Sequence, residues 1–243
     1  MTGRYSAGGG LPEYSVRTSA RARRVRLSVT PRHGLVVTVP ERFSGDVPSL
    51  VASKREWAER ALAHVAEKRA LLLAGPEALL PHQVELRSLG IVLPVEYRAT
   101  ASPTVSARAS AGGVLVSGDI DDAEKCLEAL RRWLARTAKA ELPRRCTELA
   151  SEHGIQPRTI AVSSARTRWG SCSARGKVML NRNLIFLPPE LVDALILHEL
   201  AHLRVLDHSP RFWSLLATLD PQVLEHRARL KKASDLVPVW ADG

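Results

Sequence analysis

The stretch Leu191-Val-Asp-Ala-Leu-Ile-Leu-His198-Glu199-Leu-Ala-His202-Leu-Arg-Val-Leu206 constrains this chain more than any other. Pro188-Pro189-Glu190 opens it, and the spacing predicts a helix from about Leu191 to Leu206. Its residues are apolar nearly all round, which places it in a core, where two imidazoles and a carboxylate are costly unless they are paired or hold a metal. His198 and His202 stand four apart and so share one face. Two imidazoles at that spacing can grip one Zn²⁺, while Glu199, about 100° further round, reaches water at the metal rather than the metal itself. Zinc acidifies such a water, and an adjacent carboxylate can take its proton as it attacks a carbonyl.

A catalytic zinc needs a third protein ligand and an open position. His208, Glu225 and His226 are the downstream candidates. His208 follows His202 by six residues, the separation found in metzincins, but the glycine those enzymes use to reverse the chain is Val205 here. The only methionines, Met1 and Met179, lie upstream, so a metzincin methionine turn is excluded. Asp207 is expected to supply the reversal in a left-handed conformation. Phe212 and Trp213 would then anchor the corner in the core. His226 is the weaker candidate.

The remainder reads as an α+β chain. Residues 1–14 form a loose, glycine-rich tail, followed by an N-terminal, mainly β domain over 15–118 with one long helix, and a C-terminal domain over 119–243. Val25, Leu27 and Val29 alternate with polar residues, Pro31-Arg-His-Gly34 turns, and Leu35–Val39 returns to Pro40, which is a hairpin. A single helix is expected from Asp46 to about Leu73, with Trp57 on its apolar face. Extended segments fill Gln83–Ser117, with a turn at Gly112-Gly113. Composition shifts at Asp119-Ile-Asp-Asp122, where Asp121 or Asp122 caps a helix running to His153-Gly154, with a kink or break near Pro143. Thr159–Ser163 and Val178–Asn181 are expected to form a small antiparallel sheet beside the histidine helix, with a turn at Ala174–Lys177. Ser209-Pro210 and Asp220-Pro221 each signal a further helix start.

Composition excludes several classes. No apolar run approaches a membrane span, and the N-terminus lacks the apolar region of a signal peptide, so a cytoplasmic protein is expected. Cys126, Cys146 and Cys172 are odd in number and far apart, which argues against a disulfide framework or a cysteine zinc knuckle. The net charge of +10, densest at Arg17, Arg21, Arg23, Arg24 and Arg26, permits nucleic acid or anionic substrates. No aromatic residue interleaves that run as a stacking platform would, so a solvated arginine-rich face is the preferred reading.

The run Thr167-Arg168-Trp169-Gly170-Ser171-Cys172-Ser173, then Leu180-Asn181 and Leu184, His198-Glu-Leu-Ala-His202-Leu and His208-Ser-Pro-Arg-Phe212-Trp213 resembles the YgjP-like metallopeptidases. These are related to the SprT-like and wider gluzincin-type zinc proteases. The pattern from Arg17 to Pro40, followed by a helix with Trp57, is similar too, so the resemblance covers most of the chain. It implies one zinc per chain held by His198, His202 and His208, with Glu199 as general base, in a zincin-like, minigluzincin core of strands beside the HExxH helix. Asp207 departs from the asparagine expected more often in the family, and both residues suit a tight turn. Cys172, in the family's Trp-Gly-Ser-Cys run, reads as a small buried hydrophobe in preference to a fourth ligand or a nucleophile. Gly170 there suggests a bulge or a close backbone approach.

The leading expectation is therefore a zinc metallopeptidase taking extended polypeptide along a strand near Val178–Asn181 or Thr159–Ser163. A zinc hydrolase of a phosphoester, nucleotide or other small anion is the alternative, as is a nucleic-acid-associated factor recruited by the basic N-terminal half. No membrane partner is expected, and the oligomeric state is not readable from the sequence.

Overall fold

The computed structural model describes residues 2–5 by their backbone, and residues 11–165 and 168–241 in full. The chain forms two compact units that divide between Leu79 and Leu80. The composition shift near residue 119 is not where the contacts divide. The strands between 83 and 118 belong with the C-terminal part of the chain, because their buried Val105, Ala107, Val114 and Val116 face the helix that begins at Ala123.

In the first unit, β1 (Thr2–Tyr5), β2 (Tyr14–Ser19), β3 (Arg26–Thr30) and β4 (Gly34–Pro40) form one sheet in the order β1-β2-β4-β3. The expected hairpin is β3–β4, antiparallel from Arg26↔Thr38 to Thr30↔Gly34, with Gly34 at φ 64° where glycine carries no Cβ penalty. Part of the supposed tail is strand: Thr2–Tyr5 pairs antiparallel with Tyr14–Arg17, while Met1 and residues 6–10 lie outside the described residues. The expected single helix is two, α1 (Val47–Ser53) and α2 (Arg55–Ala74), divided at Lys54. Ser53 Oγ donates to the Leu50 carbonyl at 2.8 Å and Lys54 N–H bonds Val51 rather than Leu50, a local competition that ends the first helix. Val51 and Ala58 face the core with Tyr14, Leu35, Val37 and Val39, whereas Trp57 is 40% exposed rather than inward. The five arginines from Arg17 to Arg26 are all exposed.

The second unit opens with β5 (Gln83–Leu86), β6 (Ile91–Ala99), β7 (Ser106–Ser110) and β8 (Gly113–Gly118), in the order β5-β6-β8-β7. Asp122 caps α3 (Ala123–Glu152), its side chain accepting the Lys125 N–H at 3.0 Å. α3 lies against β7 and β8 and also against the helix that carries His198. It runs unbroken through Pro143, without the expected break. Leu142 and Cys146 are buried on either side, and Lys139, whose carbonyl loses its partner, is an exposed residue that solvent can reach. Burial across several faces, from Cys126 and Leu130 to Leu149 and Ala150, makes α3 the central helix of this unit.

β9 (Thr159–Ser163), β10 (Gly170–Cys172) and β11 (Lys177–Asn181) form the third sheet, in the order β10-β11-β9. β9 and β11 are parallel, not antiparallel. The tight turn at 174–177 joins β10 to β11, so β10 takes the antiparallel place and the chain from β9 must cross over to enter it. α4 (Pro189–Ala201), α5 (Pro210–Leu219) and α6 (Val223–Leu230) complete the unit. Asp220 ends α5 and Gln222, rather than Asp220, precedes α6. Arg145 of α3 forks onto Asp193 of α4, Nε to Oδ1 at 2.8 Å and a terminal nitrogen to Oδ2 at 2.7 Å, tying the two helices together. Among the described residues no helix is long and apolar enough to cross a membrane.

Candidate metal centre

α4 starts with proline in its first turn and buries Leu191, Val192, Leu195, Ile196, Leu200 and Ala201, so His198, Glu199 and His202 are carried on a fixed core element. The helix stops at Ala201, with His202 as its C-cap, short of the expected Leu206. Two contacts account for this. His202 Nδ1 lies 3.0 Å from the Val205 carbonyl, which closes a turn, and Arg204 swings out to the carbonyls of His153 and Gly154 at 3.2 and 3.3 Å.

The chain then brings His208 back. Asp207 does so by accepting the Ser209 N–H on Oδ1 at 3.0 Å, an Asx-type turn, and not in a left-handed conformation, which no described non-glycine residue adopts. Trp213 Nε1 donates to the His208 carbonyl at 3.1 Å, and Phe212 stacks on the His202 ring at 4.5 Å and 25°. The aromatic pair at the start of α5 therefore braces the corner.

One donor atom from each of His198, His202 and His208 lies within 4.8 Å of the others, with His208 Nε2 only 3.2 Å from His198 Nε2. This set fits a metal. A proton on His202 Nδ1, donated to Val205, leaves Nε2 as a lone-pair donor, the arrangement by which outer contacts orient ligating histidines. Burial, followed by the charges of His202, His208 and Arg227, lowers the His198 pKa to about 4, and burial lowers that of His202 too. Neutral imidazole is the ligating form. Three nitrogen donors favour zinc over a hard, oxygen-loving cation.

Glu199 is 5% exposed. Burial raises its pKa to about 7, opposed by the nearby Arg168. It lies against β10, where Gly170 has no side chain to obstruct it. His198 and Glu199 line a cavity of about 440 Å³ that extends past Trp169, Leu195 and Trp213 to α6.

The other sequence candidates stand apart from the cluster. Glu225 pairs with Arg229 at 3.6 Å. His226 is buried, with Nδ1 on the Asp220 carboxylate at 2.9 and 3.0 Å. Cys172 is half-buried, not a core residue, and its Sγ donates to the Ser173 carbonyl at 3.6 Å. Burial and the Glu199 charge push its thiol pKa up. β11 is the central strand and has no open edge for a peptide, while β10 is the edge strand beside α4.

Two features escaped sequence reasoning. The Val205 carbonyl that orients His202 has no residue signature. Asn181 is buried and its amide donates to the carbonyls of Ala165 and Arg168 at 2.6 and 2.9 Å, holding the segment that leads into β10. Its place in the family-like Leu180-Asn181 pair was the available signal. Arg166 and Thr167, part of that segment, lie outside the described residues.

A helix-borne pair of histidines and a third histidine returned by a turn form a group that could hold a metal ion, with the buried carboxylate of Glu199 beside it. The chain belongs to the YgjP-like family, whose metallopeptidase domain matches residues 23–233. Among solved structures it is similar to the crystal structure of the metallopeptidase zymogen of Pyrococcus abyssi abylysin. That likeness has 21% identity, covers 37% of this chain and 92% of that one, and has a TM-score of 0.35. No curated protein matches the chain.

Proposed function

We propose that this protein is a zinc-dependent peptidase in which His198, His202 and His208 hold one zinc ion and Glu199 is the general base. The observation that carries this reading is the convergence of three histidine nitrogens within 4.8 Å beside a carboxylate on the same cavity wall. Zinc, when bound, supplies Lewis acidity towards a carbonyl oxygen and acidifies water. Glu199 takes a proton from the attacking water and returns it to the departing amine nitrogen. Its buried, one-sided setting keeps the carboxylate aimed into the cavity, and Gly170 leaves the room it needs. β10, as the edge strand next to α4, offers backbone groups to an extended peptide.

The test is a substrate screen on zinc-loaded protein with Glu199→Gln as background. Glutamine keeps the shape of the side chain but accepts no proton, so zinc should stay bound while peptide hydrolysis falls by about 10²-fold or more. A zinc-replete Glu199→Gln protein that retains its full rate would defeat the proposal. Turnover of phosphoesters but of no peptide would reassign the substrate.

A further inference from the structure

The cavity that holds His198 and Glu199 continues along one face of α6. Val223, Arg227, Leu230 and Lys231 recur at helical spacing and all line it, facing Leu195 and Trp213. The α6 cations divide into two groups. Arg229 is used within the fold, bonded to Glu190 at 2.6 Å and ion-paired with Glu225 at 3.6 Å. Arg227 and Lys231 have no carboxylate within ion-pair distance among the described residues. Of the two carboxylates that line the cavity, Glu199 is the proposed base, and Asp220 is bound to His226 and to the Gln222 N–H at 3.0 Å.

An unpaired surface cation is ordinary in an arginine-rich chain, so position has to decide. Arg227 is not a free arm: its guanidinium lies over the Trp213 ring at 4.5 Å, and Trp213 is itself fixed by its bond to the His208 carbonyl. A guanidinium seated on an indole beside an apolar wall is pre-organised to fork onto a planar anion. The cavity, about 440 Å³, has the size of sites that take a small organic group rather than an ion alone.

We propose that this cavity recognises a carboxylate of the substrate, bound by Arg227 with Lys231 beside it, while Leu195, Trp213 and Val223 hold the adjoining apolar part. That the substrate is a peptide rests on the peptidase reading above. The carboxylate belongs either to an acidic side chain next to the cleaved bond or to a free chain end.

The test separates the two claims. Tryptophan emission of the zinc-loaded full chain is followed during titration with 3-phenylpropionate and with its neutral amide, since Trp213 and Trp169 both line the cavity. The acid should bind on the order of tenfold more tightly than the amide, the worth of a hydrogen bond to a charged group. An Arg227→Met, Lys231→Met double variant should lose that difference, and because both residues are exposed it should fold. Equal affinities in the unmodified protein would overturn the inference. So would discrimination that persists in the double variant, because the acid would then be held by the zinc. Matched peptides locate the carboxylate. Faster cleavage with internal Glu than Gln assigns a side chain, faster cleavage of a free C-terminus than an amidated one assigns the chain end, and cleavage that shows neither preference overturns the proposal. Discrimination between acid and amide without cleavage of any peptide would leave the carboxylate site standing and remove the peptidase reading instead.

Discussion

Glu199 lies directly over the α-carbon of Gly170, so that a methyl group placed there would meet Oε1 at 2.7 Å and Cγ at 2.8 Å. Both distances are shorter than carbon contacts normally allow. The obstacle is a single buried side chain and not the backbone of β10, and Gly170 is not among the glycines with positive φ. Gly170→Ala is therefore expected to fold and bind zinc but to displace the carboxylate. Peptide hydrolysis should drop by about 10²-fold, as a misplacement near 1 Å can cost. Zinc content and rate measured on one preparation check this, and an unimpaired rate would show that Glu199 has room elsewhere.

Metal content gives the next prediction. His202 is buried and braced from two sides, by the Val205 carbonyl and the Phe212 ring, whereas His208 is exposed. Removing either imidazole leaves two nitrogen donors, too few for a tight zinc site. His202→Ala and His208→Ala should each purify with well under one equivalent of zinc by elemental analysis. Undiminished zinc in either would remove that residue from the ligand set.

The boundary at Leu79/Leu80 predicts how truncations behave. A chain of residues 80–243 retains β5–β8, whose Val105, Val114 and Val116 cover α3, and should unfold cooperatively and bind zinc. A chain starting at residue 119 loses β7 and β8, which pack on α3, and should be destabilised or aggregate. Thermal melts of both chains decide. A stable 119–243 fragment would restore the boundary read from composition.

The cysteines differ in accessibility. Cys146 is fully buried and its pKa is raised to about 12 by burial, so its thiolate forms only in strong alkali and native protein at pH 8 should leave it unmodified by iodoacetamide. Cys172 is half-buried and stands outside the histidine cluster. Cys172→Ser should keep its full zinc content, as elemental analysis would show. Loss of the metal would make the thiol a ligand.

Much of this molecule was legible in its sequence for local reasons. The β3–β4 hairpin followed from alternation and a glycine turn, and the Asp122 cap and the Gly154 stop followed from the chemistry of helix ends. His198, Glu199 and His202 announced themselves because polar groups on an apolar helix need a partner. The features that could not be read this way are non-local. Whether β9 and β11 run parallel depends on where β10 inserts, and whether α3 survives Pro143 depends on what packs around it. The end of α4 was misplaced because the competing bond goes from a side chain to a carbonyl beyond the helix.

The sequence by itself determined the kinds of groups available: three imidazoles, one carboxylate, and the spacing that puts two of the imidazoles on one helical face. That information is carried by periodicity, which needs only the neighbouring turns. The sequence also favoured His208 over His226 and Glu225 as the candidate third ligand, and the fold brings its nitrogen near the other two. Only the tertiary structure decided that Gly170 makes the space for Glu199 and that Arg227 is held over Trp213 at the edge of the same cavity. Each of these is a contact between elements, set by how helices and strands pack, and no spacing along the chain encodes it.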